Sequence, residues 1–237
     1  VYSRNFVDHD QDRFDQDEHG TTVAGVIGST ANNDLGIVGV APDVQLMAFK
    51  ACWHDTLTKQ ASCDSVSLMR ALADVLNEAP DILNLSLSGP YDPLIEMLLR
   101  TASNQGVVLV GAKDDKKEES FPASLVEVIA VGTPLGSTEG NTQLVLAPGT
   151  DILTTTPGST YAFRSGSSLA SAYVSGIAAL MKERRPSMSG KEIEKHLRNT
   201  ATFKIDSVPV VDICAALRRE NEICPNASLA KVNGAQE

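Results

Sequence analysis

Short apolar runs alternate along the chain with stretches in which apolar residues recur at helical spacing. Val44 to Ala51 reads as a strand. From Ser65 to Leu76 the apolar residues Val66, Leu68, Met69, Leu72, Val75 and Leu76 keep a helical period, with Asp64 or Ser65 placed to cap it. Asp81 to Leu87 reads as the next strand, and Pro93 to Asn104 as a helix that Gly106 ends. Val107 to Val110 is an unbroken valine-rich run of the kind found in strands buried on both faces. Val126 to Val131 and Gln143 to Leu146 add two strands. Helices are expected over Ser168 to Arg184, Ser189 to Thr200 and Val210 to Arg219, with Pro186 separating the first two and Ser187 or Ser189 capping the second.

Strand and helix in alternation imply an α/β fold: a mostly parallel sheet with helices on both faces, and sites at the carboxyl ends of the strands. The 237 residues show no repeat and no linker-like shift in composition, so one domain over residues 1–220 with a polar tail over 221–237 is expected. Asn226-Ala227-Ser228 in that tail matches a glycosylation acceptor. The longest mostly apolar run, Leu169 to Met181, is broken by Ser171, Ser175 and Gly176 and falls short of the roughly 18 residues a bilayer requires, so no membrane span is expected.

Charge and cysteine placement narrow the setting. With 20 Lys+Arg against 30 Asp+Glu the net charge is −10, which repels phosphate backbones and argues against a nucleic-acid partner. The four cysteines fall in two close pairs, Cys52 with Cys63 and Cys214 with Cys224. Their even count and short spacing suggest two local disulfides and an extracytoplasmic, oxidising compartment, secreted or periplasmic; the alternative is four free thiols in the cytosol. These are not zinc spacings. Val1 to Val7 has neither the basic start nor the apolar run of a signal peptide, so the chain reads as a mature or trimmed segment, and a cleaved N-terminal segment or propeptide is an expected partner.

Three stretches carry candidate chemistry. His19-Gly20-Thr21-Thr22-Val23-Ala24-Gly25 opens on a histidine and continues in small residues suited to packing a helix closely. Gly166-Ser167-Ser168-Leu169-Ala170-Ser171-Ala172 brings a serine into a helix N-terminus, where developing negative charge is favoured. Asn84-Leu85-Ser86-Leu87-Ser88-Gly89-Pro90 ends a strand in a small-residue turn. An unassisted hydroxyl is a poor nucleophile, so a serine activated by a histidine is the economical reading. A nucleophile elbow would require the order serine, acid, histidine. The only histidine after Ser168 is His196, and Asp206 and Asp212 follow it, which is the wrong order.

These stretches, with Gly36-Ile37-Val38-Gly39-Val40-Ala41-Pro42, Phe121-Pro122-Ala123-Ser124, Val128-Ile129-Ala130-Val131-Gly132 and Ala147-Pro148-Gly149, run in the order that resembles subtilisin-like serine proteases, from about Asn5 to Leu217. The resemblance implies a subtilisin-like three-layer fold and a serine endopeptidase that cleaves protein or peptide substrates through an acyl-enzyme on Ser168, with His19 as general base. Ser86, Leu87, Ser88 and Gly89 resemble the segment that pairs with substrate backbone. No cofactor is implied for the chemistry. Ala31 to Ile37 resembles a calcium loop in which Asn33 would donate a side-chain oxygen to a structural calcium.

The sequence also departs from this family. The triad aspartate belongs on a strand upstream of the histidine, and none of Asp8, Asp10, Asp12, Asp15 or Asp17 replaces it well, so the acid is expected from a segment absent from the chain. At the oxyanion-hole position the family asparagine is replaced by Asp115, whose ionised carboxylate has no proton to donate. Thr22, Ser88 and Ala172 are smaller departures. The alternative expectation is therefore a catalytically impaired subtilase-fold pseudoprotease that binds a peptide or a partner protein.

Overall fold

A computed structural model describes residues 1–8, 18–54, 61–114, 120–135, 144–205 and 208–218. The helices follow from local signals. Asp64 accepts the Ser67 N–H at 2.9 Å and starts α2 (Ser65–Glu78); Asp92 accepts from Leu94 and Ile95 ahead of α3 (Pro93–Asn104). Of the two serines expected to cap α5 (Gly190–Asn199), Ser189 does so, exchanging bonds with Glu192 in a capping box. α4 (Ser167–Arg184) opens on Gly166 and is buried on nearly every side, while α1 (Glu18–Gly28) carries His19 in its first turn.

Four parallel strands form the main sheet in the order β5 (Ile82–Leu85), β6 (Val108–Ala112), β7 (Val128–Gly132) and β8 (Val145–Leu146). β6, from the valine-rich run, is buried at every position. On one face α2 and α3 pack through Leu72, Ile95 and Leu99 against Leu85 and Leu109. On the other, α4 and α5 pack through Val174, Ile177, Ile193 and Leu197 against Val108, Val110 and Ile129. The architecture is thus a three-layer α/β fold with a mostly parallel sheet, as expected.

Several elements differ from expectation. β1 (Tyr2–Asn5) and β2 (Met47–Lys50) pair in parallel as a separate two-stranded sheet. Three antiparallel hairpins interrupt the alternation: β3 (Cys52–His54) with β4 (Ala61–Cys63), β9 (Ile152–Thr156) with β10 (Thr160–Arg164), and β11 (Phe203–Ile205) with β12 (Val208–Val210). The helix expected over Val210 to Arg219 is only α6 (Ile213–Leu217), because Asp212 caps there, accepting from Ala215 N–H at 3.0 Å, and Val208–Val210 is strand. Cys52 and Cys63 are disulfide-bonded across the first hairpin. Cys214 is also disulfide-bonded, and Cys224 lies outside the described residues. Among the described residues no helix is long and apolar enough to cross a membrane.

Candidate active site

α1 is seated by its close approach to β9. Gly25 lies so near Thr154 and Thr155 that a Cβ there would fall 2.2 Å from the Thr155 hydroxyl oxygen. Those two hydroxyls donate to the Thr22 and Thr21 carbonyls at 2.7 and 2.8 Å, tying the first turns of α1 to the hairpin. At the entrance to the helix Glu18 forms an ion pair with Arg164, which brings His19 to the end of the molecule where α4 begins. The His19 carbonyl accepts from the Thr22 hydroxyl at 2.8 Å.

Ser168 is half-buried in the first turn of α4. A chain of hydroxyls and one amide fixes that turn to the end of β5. The Ser175 hydroxyl donates to Asn84 Oδ1, and Asn84 Nδ2 donates to Ser86 Oγ, each at 2.9 Å. Ser86 Oγ lies 2.9 Å from both the Ser168 carbonyl and the Ser171 hydroxyl. Asn84 and Ser171 lie inside the candidate stretches but carry no assigned role there, and Ser175 lies outside them. Their signal is the serine spacing 168, 171, 175, which lines up hydroxyls on one helix face.

His19, Asn84, Ser86, Leu87 and Ser168 line one cleft of about 1660 Å³. Within it, no hydrogen bond joins the His19 ring to the Ser168 hydroxyl among the described residues, and no carboxylate contributes to the state of the imidazole. Desolvation alone holds the His19 pKa below its ordinary value. A neutral imidazole is the form a general base needs, but without an acid its tautomer and orientation are not fixed.

The remaining expected residues are distributed as follows. Ser88 and Gly89 do not line this cleft: Ser88 Oγ donates to Asp114 at 3.3 Å, and Gly89 N–H donates to the Phe121 carbonyl at 3.0 Å. Asp115 lies outside the described residues. Asn33 Oδ1 accepts the Leu35 N–H at 3.1 Å, so its side chain closes its own turn. Among the described residues no three His, Cys, Asp or Glu side chains assemble a metal site; the loop carries the Asn32 and Asn33 amides, the Asp34 carboxylate and main-chain carbonyls, oxygen donors of the kind calcium takes.

The serine and the histidine thus sit at helix N-termini on a shared cleft of a three-layer α/β fold. A sequence model described as the Subtilase family matches residues 1–231. The chain belongs to the subtilase family. It is 34% identical over 211 residues to M-protease of Shouchella clausii (strain KSM-K16), covering 84% of this chain and 53% of that protein. It is equally similar to Subtilisin Savinase of Lederbergia lenta, covering 75% of it. It thus spans about half the length of several curated relatives. Among solved structures, Sphericase superposes with a TM-score of 0.71 at 23% identity, covering 84% of this chain and 76% of that one. The prenylagaramide maturation protease PagA does so with the same TM-score and identity over 92% and 86%.

Proposed function

We propose that this chain is an extracytoplasmic subtilase-fold module whose cleft binds peptide or partner protein and whose catalytic site is unassembled in the chain on its own. The observation that carries this reading is the relation of His19 to Ser168: both line one cleft, yet among the described residues no bond joins them and no carboxylate addresses the imidazole. The Cys52–Cys63 disulfide supports the oxidising compartment. The functional unit is residues 1–220, with 221–237 as a tail.

A second reading, a serine endopeptidase, is favoured by the anchoring of the Ser168 turn through Ser86 and Ser171. In it a segment absent from this chain supplies a carboxylate to His19. His19 then takes the Ser168 proton as Oγ attacks the peptide carbonyl and returns it to the departing amine; water hydrolyses the resulting ester. Asp115 at the oxyanion position would weaken that reaction by roughly 10² to 10³ unless protonated. Rising activity as pH falls from 8 to 5 would support the protonated form, whereas a flat profile would count against it.

Intact-mass measurement after a fluorophosphonate probe separates the two readings, with Ser168→Ala as control. The binding-module reading expects no adduct. A single adduct lost in the variant would overturn it in favour of the endopeptidase.

A further inference from the structure

Charge is unevenly spread along this chain. Between Lys182 and Arg218 lie eight of its 20 Lys and Arg and five of its 30 Asp and Glu, so this stretch carries +3 (eight less five) and the remainder −13 within a total of −10. Its described carboxylates are mostly engaged: Glu192 closes the capping box of α5, Glu194 pairs with Arg198, and Asp212 accepts from the Ala215 N–H and the Thr202 hydroxyl. The cations are not matched in the same way. Lys182 donates to the Pro186 and Met188 carbonyls and Arg184 to the Leu217 carbonyl, neutral acceptors that leave the charge uncancelled. Among the described residues the side chains of Arg185, Lys191, Lys195 and Arg218 meet no carboxylate, and all four residues are exposed. By contrast Arg4 is paired with Asp74, Arg100 with Glu96 and Glu127, and Arg164 with Glu18.

Two bonds gather these cations at one end of the molecule. Arg184 reaching the Leu217 carbonyl joins the carboxyl ends of α4 and α6, so Arg185 and Arg218, each the next residue in its own chain segment, lie beside that junction. His196 Nε2 lies 3.0 Å from the Ala216 carbonyl and holds α5, with Lys195, to the same end. Cations near helix carboxyl ends offset the helix dipole, which accounts for part of the cluster. Arg184 already serves both helix ends, and Arg185, Lys195 and Arg218 are surplus to that task. Ser168 is sixteen residues before Arg184 in the same helix, about 24 Å along its axis, roughly three screening lengths at physiological salt.

We propose that this end of the molecule, built on Arg184, Arg185, Lys195 and Arg218, is a docking face for an anionic phospholipid surface, met peripherally with the Ser168–His19 cleft at the far end of α4. The planar guanidinium fork matches phosphate oxygens, and clustered Lys and Arg are drawn to anionic headgroups. The cations sit on three separate helices rather than in one row along a groove, so a plane of headgroups answers all of them at once, whereas a single extended polyanion follows one line. The acidic remainder of the chain is repelled by the same surface and orients the molecule. Docking of this kind is independent of the functional proposal, since it holds whether or not Ser168 reacts.

The test mixes the whole oxidised chain with vesicles of equal parts phosphatidylglycerol and phosphatidylcholine, or of phosphatidylcholine alone, and reads the fraction that sediments with lipid. Partition to the anionic vesicles is expected to exceed that to the neutral ones by roughly tenfold or more in low salt, and to fall by about fivefold or more at ~0.5 M salt. Replacing Arg185, Lys195 and Arg218 together by glutamine is expected to remove roughly tenfold or more of the anionic partition. Their side chains make no bond among the described residues, so the urea midpoint of that variant stays at the parent's. Arg185→Gln alone is expected to weaken binding about threefold or more, while Arg70→Gln, the same loss of charge on α2, changes it by less than about twofold. Equal partition to both vesicles, a triple variant that binds as the parent does, or an Arg70→Gln effect as large as that of Arg185→Gln would overturn the proposal. So would loss of vesicle binding to soluble polyphosphate at equal phosphate concentration, which would assign the face to a soluble polymer.

Discussion

Two glycine-to-alanine changes in α1, five residues apart, are expected to move stability in opposite directions. At Gly25 an added methyl meets the Thr155 hydroxyl at 2.2 Å and the Thr154 hydroxyl at 2.7 Å, so β9 must withdraw from the helix. Withdrawal loosens the two threonine bonds to the Thr21 and Thr22 carbonyls, each worth about 1 kcal/mol net. Overpacking adds about 1 to 3 kcal/mol, and the better helix propensity of alanine returns about 1 kcal/mol. Gly25→Ala is therefore expected to destabilise by about 2 to 4 kcal/mol. At Gly20 the added methyl meets nothing within 4 Å, and only the propensity gain remains, up to about 1 kcal/mol in favour of the variant. Urea unfolding of both variants, compared at constant m-value, reads the difference. A Gly25→Ala midpoint equal to or above that of the parent, or shifts of the same sign in both variants, would refute the assignment of α1 seating to the Gly25 contact.

Other predictions concern the site and the hairpin beside it. Ser86→Ala leaves Asn84 Nδ2 without its acceptor and frees the Ser168 turn, and is expected to cost about 1 to 2 kcal/mol in thermal denaturation; an unchanged midpoint would show the bond to be dispensable. The His19 resonance is expected to titrate below its ordinary value of about 6.5. Since the folded state then binds fewer protons than the unfolded, its contribution is intact above about pH 6.5 and is lost as pH falls toward the folded pKa. His19→Gln should flatten that part of the stability profile, and a midpoint at or above 6.5 would contradict the desolvated setting. Replacing Cys52 and Cys63 together by serine opens a short loop and is expected to cost about 2 to 3 kcal/mol, measured by urea unfolding.

The parts of this molecule that could be read from sequence are those whose signals are local. Helices α2, α3 and α5 combine a 3.6-residue apolar period with capping side chains at Asp64, Asp92 and Ser189. β6 is legible because a strand covered on both faces needs apolar residues throughout. The β9–β10 hairpin is not, since its strands carry threonines whose role is to bond to α1, and Thr154 is its only buried residue. The apolar run around Val210 hides a change from strand to helix that depends on one cap, Asp212. His19 and Ser168 stand out as motifs, but the Ser175–Asn84–Ser86 chain that fixes the Ser168 turn joins residues 91 apart in sequence, and Ser175 reads there only as a break in an apolar run. The division of the sheet into two parts is likewise a property of pairing, invisible in a list of strands.

Helix α4 has ten of its eighteen residues buried, and it lies between α1 on one side and the strands of the main sheet on the other. Its place late in the chain has a consequence for synthesis. When α1 and strands β5 to β7 have left the ribosome, the surfaces that will enclose α4 have nothing between them, and Val108, Val110 and Ile129 face water. Nascent chains of this length are thus the ones most in need of a chaperone. The helix that first covers those residues also brings Ser168, so Ser168 reaches its position at the step that begins to close the core, and a chain stalled before residue 167 has neither.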